Sequence, residues 1–160
     1  MLIDTSLLMD MKMNKARGGY WYCVPDEKSL SMLRGLASAV SEPDDMEGLH
    51  VTLAYDNRNP LSSVQVNEEG SWDARIVGTA MFGQDKDTLV LLLESDELQA
   101  EHKRIHSDGA KFDFTPYAPH ITLVTNAREL ERECIQDILD HPKCPPLIIR
   151  LIDQCRELID

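Results

Sequence analysis

Two stretches of this chain repeat one pattern. Leu49-His50-Val51-Thr52-Leu53 and Pro119-His120-Ile121-Thr122-Leu123 each carry His-x-Thr-Leu, and the two histidines lie 70 positions apart. The β-branched residues and the alternation predict a strand at each copy. Side chains on a strand alternate between faces, so His50 and Thr52 share one face while Val51 turns to the other. His120, Thr122 and Ile121 repeat the arrangement. A period this long is not that of a solenoid. It predicts two similar lobes, each a strand–helix–strand unit that ends in a His-bearing strand.

The remaining segments fit that division. Residues 1–18 read as an N-terminal arm, broken by Gly18-Gly19, and 19–160 as a single bilobal domain. Tyr20 to Val24 predicts a strand. Asp26 is placed to cap a helix whose apolar positions are Leu30, Leu33, Leu36, Ala37 and Val40. Leu49 to Tyr55 is the first His-bearing strand, and the polar stretch Asn57 to Ser71 is a long loop. Asp73 to Phe82 and Thr88 to Glu94 predict two strands around the turn Gly83-Gln84-Asp85-Lys86. Ser95-Asp96 caps a second helix that ends near Asp108-Gly109. Ile121 to Thr125 is a strand, Arg128 to Leu139 a helix, and Leu147 to Ile152 a last strand, with a helical or frayed tail. The class is α+β, with mainly antiparallel sheet flanked by helices and a cleft between the lobes.

Composition narrows what the cleft can hold. Lys and Arg total 16 against 28 Asp and Glu, a formal charge of −12. Affinity for long nucleic acid comes from basic side chains displacing counterions, so this balance opposes a long polyanion and leaves room for a small phosphate ligand in one pocket. The Met- and Leu-rich opening is interrupted by Asp4 and Asp10, unlike a signal peptide, and no apolar run reaches a membrane span. A soluble, cytoplasmic protein is expected. Cys23, Cys134, Cys144 and Cys155 form no CxxC pair and read as reduced thiols.

Two imidazoles and two hydroxyls around one small volume suit a phosphodiester. A neutral imidazole takes a proton from the attacking oxygen, and a protonated one delivers a proton to the leaving oxygen. Each Thr hydroxyl donates to a non-bridging phosphate oxygen. The chemistry calls for no metal and no cofactor. A single His-x-Thr is ordinary strand sequence; two copies, each followed by Leu, are a far rarer coincidence. His102 and His106 are four apart on a helix, but they lack the HExxH pattern and have Lys103 and Arg104 between them, so no metal is expected there. Arg58, Arg75 and Lys111 are candidates for positive charge at the site, or plain surface residues.

The paired motif resembles the 2H phosphoesterase superfamily. Leu49 to Tyr55, and Gly109 to Phe114 running on through Tyr117 to Leu123, are similar to the two histidine regions of the phage anti-CBASS cyclic oligonucleotide phosphodiesterases. Gly19-Tyr20, Trp72 to Gly78 and Leu89 to Glu94 extend the likeness from about Gly19 to Thr125. The resemblance implies degradation of cyclic di- and trinucleotide signals that activate bacterial antiphage effectors. It implies His50 and His120 as the acid–base pair, Thr52 and Thr122 on the phosphate, and Tyr20 and Trp72 against nucleobases. Plain packing remains the other reading of those two aromatics. Two other functions remain open: hydrolysis of 2′,3′-cyclic phosphate ends on RNA, and a sponge that binds cyclic nucleotides without cutting them. Base preference, ring size and oligomeric state are not legible.

Overall fold

The computed structural model describes residues 18–41, 48–56, 64–111 and 116–159. The expected arm thus lies, apart from Gly18, outside the described residues. Among the described residues, six strands and three helices follow in the order β1 (Gly18–Pro25), α1 (Glu27–Ala37), β2 (Val51–Asp56), β3 (Trp72–Phe82), β4 (Thr88–Glu94), α2 (Asp96–Ser107), β5 (His120–Val124), α3 (Glu129–Asp140) and β6 (Ile148–Ile159). Local chemistry sets the helix starts. The Asp26 carboxylate accepts from the Ser29 amide at 2.9 Å, and the Ser95 hydroxyl from the Leu98 amide at 3.0 Å. Each satisfies an amide that the first helical turn leaves without a partner.

The strands close into an antiparallel barrel in the order β1-β2-β5-β4-β3-β6. Two similar halves are visible in that order. One is β6-β1-β2 with α1 between β1 and β2; the other is β3-β4-β5 with α2 between β4 and β5. They join at two seams, β3–β6 and β2–β5. The second seam is sparse: its register holds one pair, Val51 with Ile121, whereas β1 and β2 run together from Gly19–Asp56 to Cys23–Val51. The core fills the barrel and the space under the helices, with Trp21, Leu33, Val51, Leu53, Leu89, Leu91, Leu98, Ile105, Ile135, Ile149 and Leu151 all fully buried.

The chain's end departs from expectation. The tail after Ile152 is neither helical nor frayed; it continues β6 to Ile159, paired with β1 as far as Gly18. Asp153 sits at φ 53°, and the β1–β6 register shifts between Tyr22 and Val24. Ile149 and Leu151 face the core before this bulge, Gln154 after it. The extra residue breaks the alternation by which a strand is read from sequence.

Candidate active site

β2 and β5 bring the two motifs together. Val51 and Ile121 are paired and buried, at 0% and 1% exposure, so their neighbours turn to the opposite face. The antiparallel direction sets His50 across from Thr122 and Thr52 across from His120. Directly opposed Cβ atoms in such a pair lie about 5 Å apart and diagonal ones about 7–8 Å. His50 is exposed; Thr52, His120 and Thr122 are half-buried.

Both histidines are held the same way. His50 Nδ1 is 2.9 Å from the Gly48 carbonyl oxygen, and His120 Nδ1 is 3.0 Å from that of Ala118. A carbonyl only accepts, so each Nδ1 carries the proton and donates it. Each Nε2 is thereby the nitrogen left for chemistry. The repeat in sequence is thus a repeat in geometry, down to a ring nitrogen bonded to the carbonyl two residues upstream.

Aromatic rings frame the pair. The Tyr20 hydroxyl shares a 3.3 Å hydrogen bond with Thr52 Oγ1, and the Tyr20 ring meets His50 edge-on at 5.8 Å. Burial pushes the Tyr20 phenol above its ordinary value, the Thr52 bond opposes that, and Glu157 adds to it. The phenol therefore stays protonated at neutral pH. Tyr22 stacks on Tyr20 at 5.1 Å, meets His50 at 5.5 Å, and donates to Glu157 Oε1 at 3.2 Å. Phe82, at the end of β3, meets His120 edge-on at 4.8 Å. The sequence reading missed Tyr22 and Phe82. Tyr22 had a signal, two residues from Tyr20 on one strand face; Phe82 had none, being placed by the curl of β3.

Trp72 is not at this face. The residue is 6% exposed and belongs to the core, on a strand paired with β6 at Leu151. The turn at Asn67–Gly70 covers it so closely that a Cβ on Gly70 would lie 2.6 Å from the ring. Trp72 thus packs under this turn among the described residues. Arg75 pairs with Glu94 at 3.3 Å, and Arg58 lies outside the described residues. All four cysteines are free thiols. Burial pushes Cys23 up to about 12, which leaves it a packing residue rather than a nucleophile.

His102 is likewise accounted for within the fold. It is buried, its Nδ1 donates to the Leu53 carbonyl at 2.6 Å, and its ring lies flat on Tyr117 at 4.3 Å and 9°. Among the described residues no group of three or more His, Cys, Asp or Glu is placed to hold a metal ion. No helix among them is long and apolar enough to cross a membrane.

The fold is shared with solved phosphoesterase structures. The apo structure of E. coli LigT superposes with TM-score 0.51 at 12% identity, covering 89% of this chain and 87% of that one. A crystal structure described as a phosphoesterase gives 0.52 at 12% identity, covering 91% and 99%. This is the fold of the 2H phosphoesterases. The model of the family described as "Anti-CBASS protein Acb1" matches residues 17–141, and this chain belongs to that family. The protein of that name from Enterobacteria phage T4 is 33% identical over 108 residues, which is 65% of this chain and 69% of its own length. The one from Yersinia phage phiR1-RT is 31% identical over 123 residues, 73% and 78% respectively.

Proposed function

We propose that this protein hydrolyses cyclic di- and trinucleotide second messengers by His/His acid–base catalysis, and so shields a phage from CBASS immunity in the host cytoplasm. The observation that carries the reading is the matched pair of imidazoles on neighbouring strands, each with Nδ1 tied to the backbone carbonyl two residues upstream and Nε2 left without that bond. Membership of the anti-CBASS family supports the biological role.

The chemistry follows from the substrate. In a ribonucleotide ring the 2′-hydroxyl lies beside the 3′–5′ phosphate. One Nε2 takes its proton as the 2′-oxygen bonds to phosphorus. The bond from phosphorus to the 5′-oxygen breaks, and the other Nε2–H protonates that oxygen. Thr52 and Thr122 hydroxyls steady the non-bridging oxygens, whose charge grows in the transition state. The product carries a 2′,3′-cyclic phosphate, which water opens with the two imidazoles in exchanged roles. Tyr20, joined by Tyr22, offers a base a flat apolar face, and stacking of that kind accepts every base. Two imidazoles supply both proton transfers, so the route requires no metal.

The test is incubation with 3′,3′-cyclic GMP–AMP in EDTA, with products resolved by chromatography and mass. Cleavage by the wild type and none by His50→Ala supports the reading. Cleavage only of linear RNA ends bearing 2′,3′-cyclic phosphate would move the substrate to RNA. Ligand recovered intact from a tight complex would make the protein a sponge.

A further inference from the structure

We propose that Tyr117 and His102, which belong to the second half of the barrel, are positioning residues that set the first histidine motif against the second; the inference rests on the catalytic reading above. The need for such a brace lies in the seam. β2 and β5 carry the reacting side chains, yet their ladder holds one register pair. Backbone pairing alone leaves the separation of the motifs weakly set.

Side chains take over where the ladder stops. The Tyr117 hydroxyl donates to the Thr52 carbonyl at 2.6 Å, and Tyr117 stands three residues before His120. One side chain therefore spans from the approach to the second motif to the backbone of the first. His102, on α2, donates to the next carbonyl, that of Leu53. Leu53 has no partner in the β1–β2 register, which passes from Trp21–Ala54 to Tyr22–Thr52. It is the extra residue of a β-bulge, a device that re-aims side chains next to active sites. The flat stack of the two rings joins the two bonds into one unit. At the far end of β2 the Asp56 carboxylate accepts from the Lys111 amide at 2.7 Å, a third link between the halves. Burial lowers the His102 pKa, so the ring stays neutral, with its Nδ1 proton directed to Leu53.

Both rings are buried and neither lies on the reacting face, so their effect passes through backbone position. Tyr117→Phe keeps the ring, its burial and the stack, and removes only the bond to Thr52. A misplacement of this kind costs about 10- to 100-fold in kcat, with KM held within about threefold. His102→Gln keeps a side-chain N–H for Leu53, and His102→Ala does not. The glutamine variant is expected to recover most of the kcat that alanine loses. The imidazole nitrogen NMR signals of His50 are expected to move in Tyr117→Phe and His102→Ala without substrate present. Unchanged kcat and unchanged His50 signals in Tyr117→Phe, even with a lowered melting temperature, would overturn the proposal and leave the pair as core packing. If the wild type cleaves no cyclic dinucleotide, the functional reading fails, while the His50 signals still decide the brace. Should Tyr117→Phe not fold, the comparison of His102→Gln with His102→Ala gives the same decision.

Discussion

An imidazole works as base or acid only through the nitrogen its surroundings leave open. In His50 and His120 the carbonyls of Gly48 and Ala118 make that choice, and they make it identically. In the proposed mechanism, removal of either ring takes away one proton transfer and leaves the backbone scaffold. His50→Ala and His120→Ala are therefore expected to lower kcat by about 10²–10⁴-fold each, with the far-ultraviolet circular dichroism unchanged. Unfolding of both variants would instead assign the rings a structural part. Because one imidazole must be neutral while the other is protonated, kcat/KM against pH is expected to be bell-shaped. A flat profile across the neutral range would argue against a His/His mechanism. Tyr20→Phe keeps the ring beside His50 and removes the bond to Thr52. It should cost about tenfold or less in kcat/KM, the value of one neutral hydrogen bond.

The elements are held by buried polar bonds as well as by apolar packing. Glu101 on α2 is 5% exposed and accepts from Gln154 Nε2 of β6 at 2.8 Å and from Asn67 at 3.3 Å, and it pairs with Arg104. Gln154 Oε1 in turn accepts from the Asn67 amide at 2.9 Å. This network ties the turn that covers Trp72 to α2 and β6. Glu101→Ala would leave several buried donors unanswered, and a loss of about 3 kcal/mol is expected in urea unfolding. A change under about 0.5 kcal/mol would mean that the network relaxes onto water. β6 also has a role its sequence hides. It lies between β1 and β3 and closes the barrel, so removal of 153–160 would expose the β1 edge. That truncation should aggregate or fail to fold in a solubility assay. A soluble, folded product would show that the β1–β2 pairing suffices.

Taken whole, the molecule should lose stability on mild acidification. Burial lowers the His102 pKa from 6.5, the Leu53 bond opposes that, and His106 adds to it. Above about pH 6.5 the ring is neutral whether the chain is folded or not, and no penalty applies. As pH falls below that value the unfolded chain binds the proton first, so stability declines until the folded pKa is passed. One such group gives at most about 1.4 kcal/mol per pH unit. Urea midpoints measured from about pH 7 to pH 5 should fall, and His102→Gln should flatten the slope. This window lies above the titration of the paired carboxylates, whose lowered values, as at Asp26 and Glu131, act at more acid pH.

Much of this protein was readable along the chain, because strand alternation and helix capping are local. The His-x-Thr copies, their shared faces and the caps at Asp26 and Ser95 follow from residue types a few positions apart. So does the two-lobed α+β class, since a repeat in sequence folds to a repeat in structure. Closure of the barrel, the arrival of Phe82 at His120 and the burial of Trp72 do not follow that way. Each depends on which strands become neighbours and in what register, and the register shifts in four of the strand pairs. A bulge inserts one residue, turns every later side chain to the other face, and leaves no mark in hydrophobic periodicity. Contacts between residues tens of positions apart are settled by packing the whole barrel, and they set where the two imidazoles stand.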